Sequence, residues 1–209
     1  MDFPSKKYTV IYADPAWEYD DKAEAGNRGA SCKYDVMTVQ DICALPVASI
    51  AADDCLLFLW MTMPKMREAM AVVDAWGFTF KTVAFTWLKS TKKSNQLFWG
   101  MGRWTRANPE LCWLASKGQP KRVSAAVHSV IDERLHNVID SPAARHSEKP
   151  HVARERIVEL VGSKVSKIEL FARKRYRGWD AWGNQVNDYF EDATFLDFDT
   201  PEDQPKLFT

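Results

Sequence analysis

Residues 8–17 read Tyr8-Thr9-Val10-Ile11-Tyr12-Ala13-Asp14-Pro15-Ala16-Trp17. The β-branched and aromatic run Tyr8 to Tyr12 predicts a strand, and an acid, a proline turn and an indole follow where it ends. In an open α/β sheet, ligands bind outside the carboxyl ends of the strands, so these four residues are the ones a substrate meets. The residue types suit a flat, amine-bearing base. The nitrogen of an exocyclic aromatic amine is a weak nucleophile, because its lone pair is delocalised into the ring. Hydrogen bonds from such an NH2 group to the Asp14 carboxylate and the Pro15 carbonyl draw the lone pair out of conjugation and aim it at an electrophile. Trp17 offers a face for stacking, a contact worth roughly 1–3 kcal/mol per base. The plainer reading of the same residues is an N-capping Asp, a helix-initiating Pro and a core Trp.

Outward from this stretch, 209 residues with 46% hydrophobic and 12% aromatic content are enough for one α/β domain with a substantial core. Cys32, Cys43, Cys55 and Cys112 are widely spaced, with no C-x-x-C pair, which argues against a zinc site or a disulfide framework. No run approaches the roughly 18 apolar residues of a membrane span, and the first residues lack a charged-then-apolar leader pattern. A soluble intracellular protein in a reducing compartment is expected.

The formal charge of +0 hides an uneven distribution. From Lys81 to Ser124, nine basic residues face the single acid Glu110, whereas from Asp188 to Thr209 seven acids face only Lys206. A basic middle and an acidic tail follow.

Along the chain, the polar stretch from about Asp20 to Lys33 predicts a loop over the site, with Tyr34 directly after it. Thr38 caps a short helix through Ile42 that ends near Pro46, and Cys55 to Trp60 reads as a buried strand. Thr62 is a candidate N-cap with Pro64 in the first turn; Met66, Met70 and Val73 recur at helical spacing, and Gly77 stops the helix. Phe78 to Leu88 is expected as a third strand, completing a parallel, right-handed strand-helix-strand unit. Glu110 to Ser116 and Val127 to Asp132 read as further strands. A helix starts near Ser147, with Pro150 in its first turn, Ile157, Leu160 and Val161 on its buried face, and Gly162 at its end. Lys167 to Ala172 is the last clear strand, and Gly178 to Gln185 reads as a loop.

Between the third and fourth of these strands, Lys89 to Ala107 has neither period. Lys92, Lys93, Arg103 and Arg106 alternate with Phe98, Trp99 and Trp104, and Gly100 and Gly102 make the segment flexible. Cations among aromatics suit phosphates and unstacked bases together, although Lys and Arg also serve as plain surface and Trp as core. His128, His136, His146 and His151 fall in no such pattern and read as surface or structural residues.

With Ala13-Asp14-Pro15-Ala16-Trp17, Leu57-Phe58-Leu59-Trp60, Trp76-Gly77-Phe78, Glu169-Leu170-Phe171-Ala172-Arg173 and Trp182-Gly183-Asn184-Gln185 in this order, the chain resembles the adenine-N(6) methyltransferase family named for the catalytic subunit of the mRNA adenosine methyltransferase. The resemblance runs from about Lys7 to Gln185. It implies a single Rossmann-like domain over residues 1–187, mostly parallel with helices on both faces and permuted so that the catalytic motif precedes the cofactor-binding strand. Residues 188–209 are then an acidic tail. It implies S-adenosylmethionine as methyl donor, with Asp14 to Trp17 holding the adenine and Asp14 also near the donor's amino-acid moiety. By position, Lys149 and Ser147 would approach the methionine carboxylate or ribose, Phe171 and Arg173 would line the donor cleft, and Asn184 and Gln185 would bind ribose hydroxyls. Tyr34 would sit beside the acceptor base. Trp60, Trp104 and the basic residues Lys92, Lys93, Arg103 and Arg106 would face the acceptor nucleic acid. One departure is plain: Ala16 stands where the family usually has a second proline.

Compactness and isolation from obvious partner segments make DNA, in the cytoplasm of a bacterial or phage-infected cell, the expected acceptor; in a duplex the target adenine would have to be flipped out. RNA is the alternative acceptor, and a non-catalytic nucleic-acid-binding partner or methylation of a protein glutamine are the rival readings. The end of the tail, Gln204-Pro205-Lys206-Leu207-Phe208-Thr209, resembles the short peptide by which bacterial proteins dock on the replication sliding clamp through Gln204, Leu207 and Phe208. Its plainer reading is a disordered or packed tail.

Overall fold

The computed structural model describes residues 2–18, 36–91, 94–100, 104–134 and 149–186, and the backbone of 190–191. Tyr34, Lys92, Lys93, Arg103 and Ser147, together with the clamp-like residues Gln204, Leu207 and Phe208, lie outside them.

Seven strands form one sheet. In chain order these are β1 (Tyr8–Ala13), β2 (Ala51–Met61), β3 (Thr79–Leu88), β4 (Glu110–Lys117), β5 (Val130–Asp132), β6 (Lys167–Leu170) and β8 (Asp180–Trp182). Their spatial order is β5-β3-β4-β2-β1-β6-β8. All neighbours run parallel except that β4 is antiparallel to both β2 and β3. A separate parallel pair joins β7 (Arg175–Tyr176) to β9 (Phe190–Glu191), so the chain returns to pair just inside the expected tail.

The strand pleat sends alternate residues to opposite faces, and both faces are covered. Ile11, Ala13, Leu57, Leu59 and Met61 join a core completed by Ile42 of α1 (Val39–Ala44), Val47 and Ile50 of α2 (Val47–Ile50), and Ala69, Val72 and Val73 of α3 (Met66–Ala75). Val10, Tyr12, Phe58 and Trp60 join the other core, completed by Ala153, Ile157 and Val161 of α4 (His151–Val161) and by Tyr176 and Trp179. Continuous apolar runs such as Cys55 to Trp60 follow from this double burial.

The caps match the sequence closely. The Thr38 side chain accepts from the Asp41 N–H, and Gly77 closes α3 at a φ of 79° that other residues rarely adopt. Pro64 lies in a single 3₁₀ turn, Met63–Lys65, that precedes α3, so Thr62 borders that turn rather than the α-helix itself.

Three expectations need correction. The strands β2 and β3 are parallel to one another but not adjacent, because the antiparallel β4 is inserted between them. The segment 178–185 is not all loop: Asp180–Trp182 adds an edge strand to β6, in register from Ile168↔Asp180 to Leu170↔Trp182. The described residues just after β3 also form more regular contacts than a glycine-containing loop suggests. Ser90 and Leu97 form a bridge, the Phe98 N–H donates to the Lys89 carbonyl, and the buried Asn108 side chain donates to the carbonyls of Lys89 and Phe98 and accepts from the Lys89 N–H.

Candidate active site

The topology brings one set of side chains to one edge of the sheet. Asp14 directly follows β1, Phe171 follows β6 and Gly183 follows β8, all at carboxyl ends. β4 runs the other way, so its first residue, Glu110, arrives at the same edge, opposite Trp87 near the end of β3. Lys149 comes to it just before α4. Between β1 and β6 the connections leave in opposite directions across the sheet, towards β2 and β8, which is where open α/β sheets leave a ligand crevice.

At this edge Lys149 Nζ donates to Asp14 Oδ2 at 2.7 Å and pairs with Glu110 Oε2 at 3.3 Å, over the Trp60 ring at 5.5 Å. Lys89 Nζ donates to Glu110 Oε1 at 2.9 Å while lying 5.8 Å over Trp87 and 5.7 Å over Phe98. Four charges thus alternate in a row: Asp14, Lys149, Glu110, Lys89. The Lys149 side chain is only 7% exposed, which would discharge an isolated ammonium. Burial does press its pKa down, but Asp14 and Glu110 outweigh that and hold it above the ordinary lysine value. Glu110 is likewise pressed upward by burial, and Lys149 and Lys89 together bring it below the usual glutamate range. For Asp14 burial wins. Its pKa is raised, with Lys149 opposing the rise, Glu110 adding to it and Arg173 opposing it more weakly. The asymmetry has a simple cause: Lys149 faces two carboxylates, whereas Asp14 shares one ammonium with Glu110.

The turn after β1 is held from both sides. Trp17 N–H donates to the Pro15 carbonyl at 2.9 Å, and the segment pairs with residue 37 through Met37 N–H to Ala16 O at 2.9 Å and Glu18 N–H to Met37 O at 3.3 Å. The Pro15 carbonyl therefore has one N–H partner and keeps one lone pair for a ligand. No helix follows Asp14 among the described residues, so the N-cap reading fails here. Trp17, however, is core, as the plainer reading had it: it is 4% exposed and its Nε1 donates to the Trp60 carbonyl at 3.2 Å. Trp60 is equally interior at 1% exposure, with Nε1 donating to Tyr12 Oη at 2.6 Å. Neither indole presents an open stacking face. Trp104, 92% exposed, does, and Phe98 and Trp99 are exposed as well.

Phe171 turns the chain at the end of β6 with a φ of 60°, uncommon for a side chain of its size. Ala172 N–H donates to the Trp182 carbonyl at 3.0 Å, and Gly183 packs so closely here that an added Cβ would lie 2.7 Å from Ala172 N and nearer still to its carbonyl oxygen. This contact explains the glycine in Trp182-Gly183-Asn184-Gln185 and sets the exposed Asn184 and Gln185 beside Phe171 and Arg173. The Lys149 ammonium and Asp14 carboxylate after β1 and the amides of Asn184 and Gln185 after β8 thus lie at the same edge of the sheet, a donor set that fits the charged amino-acid end and the ribose of S-adenosylmethionine.

The sequence reading missed Glu110 and Lys89. Glu110 was visible as the one acid in a basic stretch, but its place depends on β4 running antiparallel.

A mostly parallel α/β sheet with an acid-proline-aromatic turn after the carboxyl end of β1, and polar residues after the carboxyl ends of β6 and β8, defines the class of Rossmann-like methyltransferases. The MT-A70 family model matches residues 8–185, and the chain belongs to that family. The chain is 34% identical over 201 residues to the type II methyltransferase M.MunI of Mycoplasma sp, covering 88% of this chain and 80% of that protein. It is 26% identical over 189 residues to the mouse N(6)-adenine-specific methyltransferase METTL4, and 24% identical over 184 residues to the human N(6)-adenosine-methyltransferase catalytic subunit METTL3. It spans 38% and 28% of the length of those two proteins. Among the described residues, no helix is long and apolar enough to cross a membrane.

Proposed function

We propose that the protein transfers a methyl group from S-adenosylmethionine to the exocyclic amino nitrogen of adenine in DNA. The observation that carries this reading is the Asp14–Lys149 contact of 2.7 Å at the carboxyl edge of β1, beside the crevice of β6 and β8. S-adenosylmethionine, when bound, supplies an electrophilic methyl group on a sulfonium.

Asp14 and the remaining lone pair of the Pro15 carbonyl accept the two N–H bonds of the adenine amine and turn its lone pair toward the crevice. With Oδ2 engaged by Lys149, Oδ1 is the atom that accepts. The negative Asp14 also stabilises the nitrogen as it becomes cationic, a use of preorganised charge in place of covalent catalysis. Its raised pKa suits the same carboxylate to take up the proton that leaves the alkylated nitrogen. Lys149 and Arg173 meet the donor's carboxylate, Phe171 lines its cleft, and Asn184 and Gln185 take its ribose hydroxyls. Exposed Trp104 stacks an unpaired base, and Arg106 meets phosphate.

DNA is favoured because a relative aligned over 80% of its own length is named a type II methyltransferase. The adenosine-directed METTL3 relatives support RNA as the second reading. The test is incubation with S-adenosylmethionine and matched duplex DNA, single-stranded DNA and RNA, with N6-methyladenine quantified by nucleoside mass spectrometry beside Asp14→Ala. Methylated DNA, absent with the variant, is the expected result. Product from RNA alone would overturn the acceptor; no product and no donor binding would overturn the activity.

A further inference from the structure

A second ionic cluster lies beneath the active edge, on the α4 side of the sheet. Arg154, in the first turn of α4, is 5% exposed and grips Glu169 of β6 through two bonds of 2.7 Å, Nε to Oε2 and Nη2 to Oε1. Its guanidinium stacks 4.0 Å from the Tyr176 ring centroid and 5.4 Å from that of Tyr12. Tyr12 Oη accepts the Trp60 Nε1–H at 2.6 Å, and the Trp60 ring lies under the Lys149 ammonium.

Each element in this cluster delivers a residue to the active edge. Tyr12 stands two residues before Asp14 on β1, Glu169 two residues before Phe171 on β6, and Arg154 five residues after Lys149. A buried ion pair is a poor stabiliser, since an apolar pair of similar volume does as well or better, so registration of the groups it joins is the better-attested reason to keep one. Here the pairing is also imperfect: Arg154 Nη1 is buried without a hydrogen-bond partner.

We infer that the Arg154–Glu169 pair is a positioning device that fixes the start of α4 against β6 and β1, and thereby sets the Lys149 ammonium against Asp14. Neither residue touches the reacting atoms. The assignment rests on the proposed activity for its kinetic consequence, but not for the placement of Lys149.

The test is the double variant Arg154→Met with Glu169→Leu, which removes both charges at similar volume and leaves no orphaned ion, beside Arg154→Lys, which keeps the charge without the two-pronged grip. The double variant is expected to keep or raise the wild-type Tm, to lose kcat at least tenfold, and to hold KM for nucleic acid within about twofold. Its kcat–pH profile moves upward on the acid side. Asp14 is faced by Lys149 from the start of α4, Glu110 and Cys112 from β4, and Arg173 from beyond β6, and a looser Lys149 removes the largest influence favouring its ionised form. Arg154→Lys falls between the two. A readout independent of activity is NMR of lysine labelled at Cε, with the Lys149 signal assigned through Lys149→Arg: the ammonium titrates at lower pH in the double variant than in the wild type.

A folded double variant with wild-type kcat and an unchanged Lys149 titration overturns the inference. If the double variant does not fold, Arg154→Lys decides by the same two readouts. If the wild type makes no methyladenine, the proposed function fails, and the Lys149 titration still decides the positioning.

Discussion

Replacing Lys149 with methionine keeps the length of the side chain and removes the one cation shared by Asp14 and Glu110, whose side chains are 25% and 19% exposed. Removing one partner of a buried ion pair leaves an uncompensated charge and destabilises by about 3–5 kcal/mol. Glu110 keeps Lys89 at 2.9 Å, so most of the penalty falls on Asp14. Burial already raises the Asp14 pKa, and losing Lys149 raises it further. The sign follows from proton uptake. Between the ordinary value of 3.8 and the raised folded value, the folded variant holds a proton that the unfolded chain has released, so its stability increases as pH falls through that window. At about 1.4 kcal/mol per pH unit for one proton, lowering the pH through that window returns part of the initial loss. Urea unfolding at pH 8 and at pH 5.5, on wild type, Lys149→Met and the double variant with Asp14→Asn, measures this directly. The double variant should recover much of the stability at pH 8 and lose the pH dependence. A loss below about 1 kcal/mol at pH 8, or an equal loss at both pH values, would refute the electrostatic account of the site.

Gly183→Ala forces a Cβ into the Ala172 backbone and should destabilise by more than about 2 kcal/mol and weaken binding of S-adenosylmethionine, measured by calorimetry. Gly77→Ala, where only the positive φ resists and nothing lies within 4 Å, should cost about 1 kcal/mol with donor affinity unchanged. Trp104→Ala should leave Tm unchanged and weaken binding of single-stranded nucleic acid by about 1–3 kcal/mol, whereas Arg106→Ala should reduce the slope of log affinity against log salt by about one. Burial pushes the Cys55 thiol up to about 12 and raises that of Cys112 as well, so at pH 8 mass spectrometry after iodoacetamide treatment should find both unmodified until the protein is unfolded.

Much of the framework was legible because local rules and the tertiary fold agree. The run Tyr8 to Tyr12 lies in a strand that ends just before Asp14, Thr38 and Gly77 act as caps, and Cys55 to Trp60 is apolar throughout because both faces of β2 are covered. The readings that failed share a cause. Trp17 and Trp60 carry no sign in the sequence of whether an indole faces a ligand or the interior, since that depends on what packs opposite. Asp180–Trp182 is too short to show a period and becomes a strand only because β6 offers it an edge.

The sequence by itself determined the strand-turn motif at Asp14, the order of the elements, the basic and aromatic character of the segment after β3 and the family. Only the tertiary structure decided the row Asp14, Lys149, Glu110, Lys89, whose members are up to 135 residues apart. The reason is directional. Hydrophobic patterning specifies which segments are strands, but not which way each runs, and the reversed β4 is what brings Glu110 to the edge where the parallel strands end.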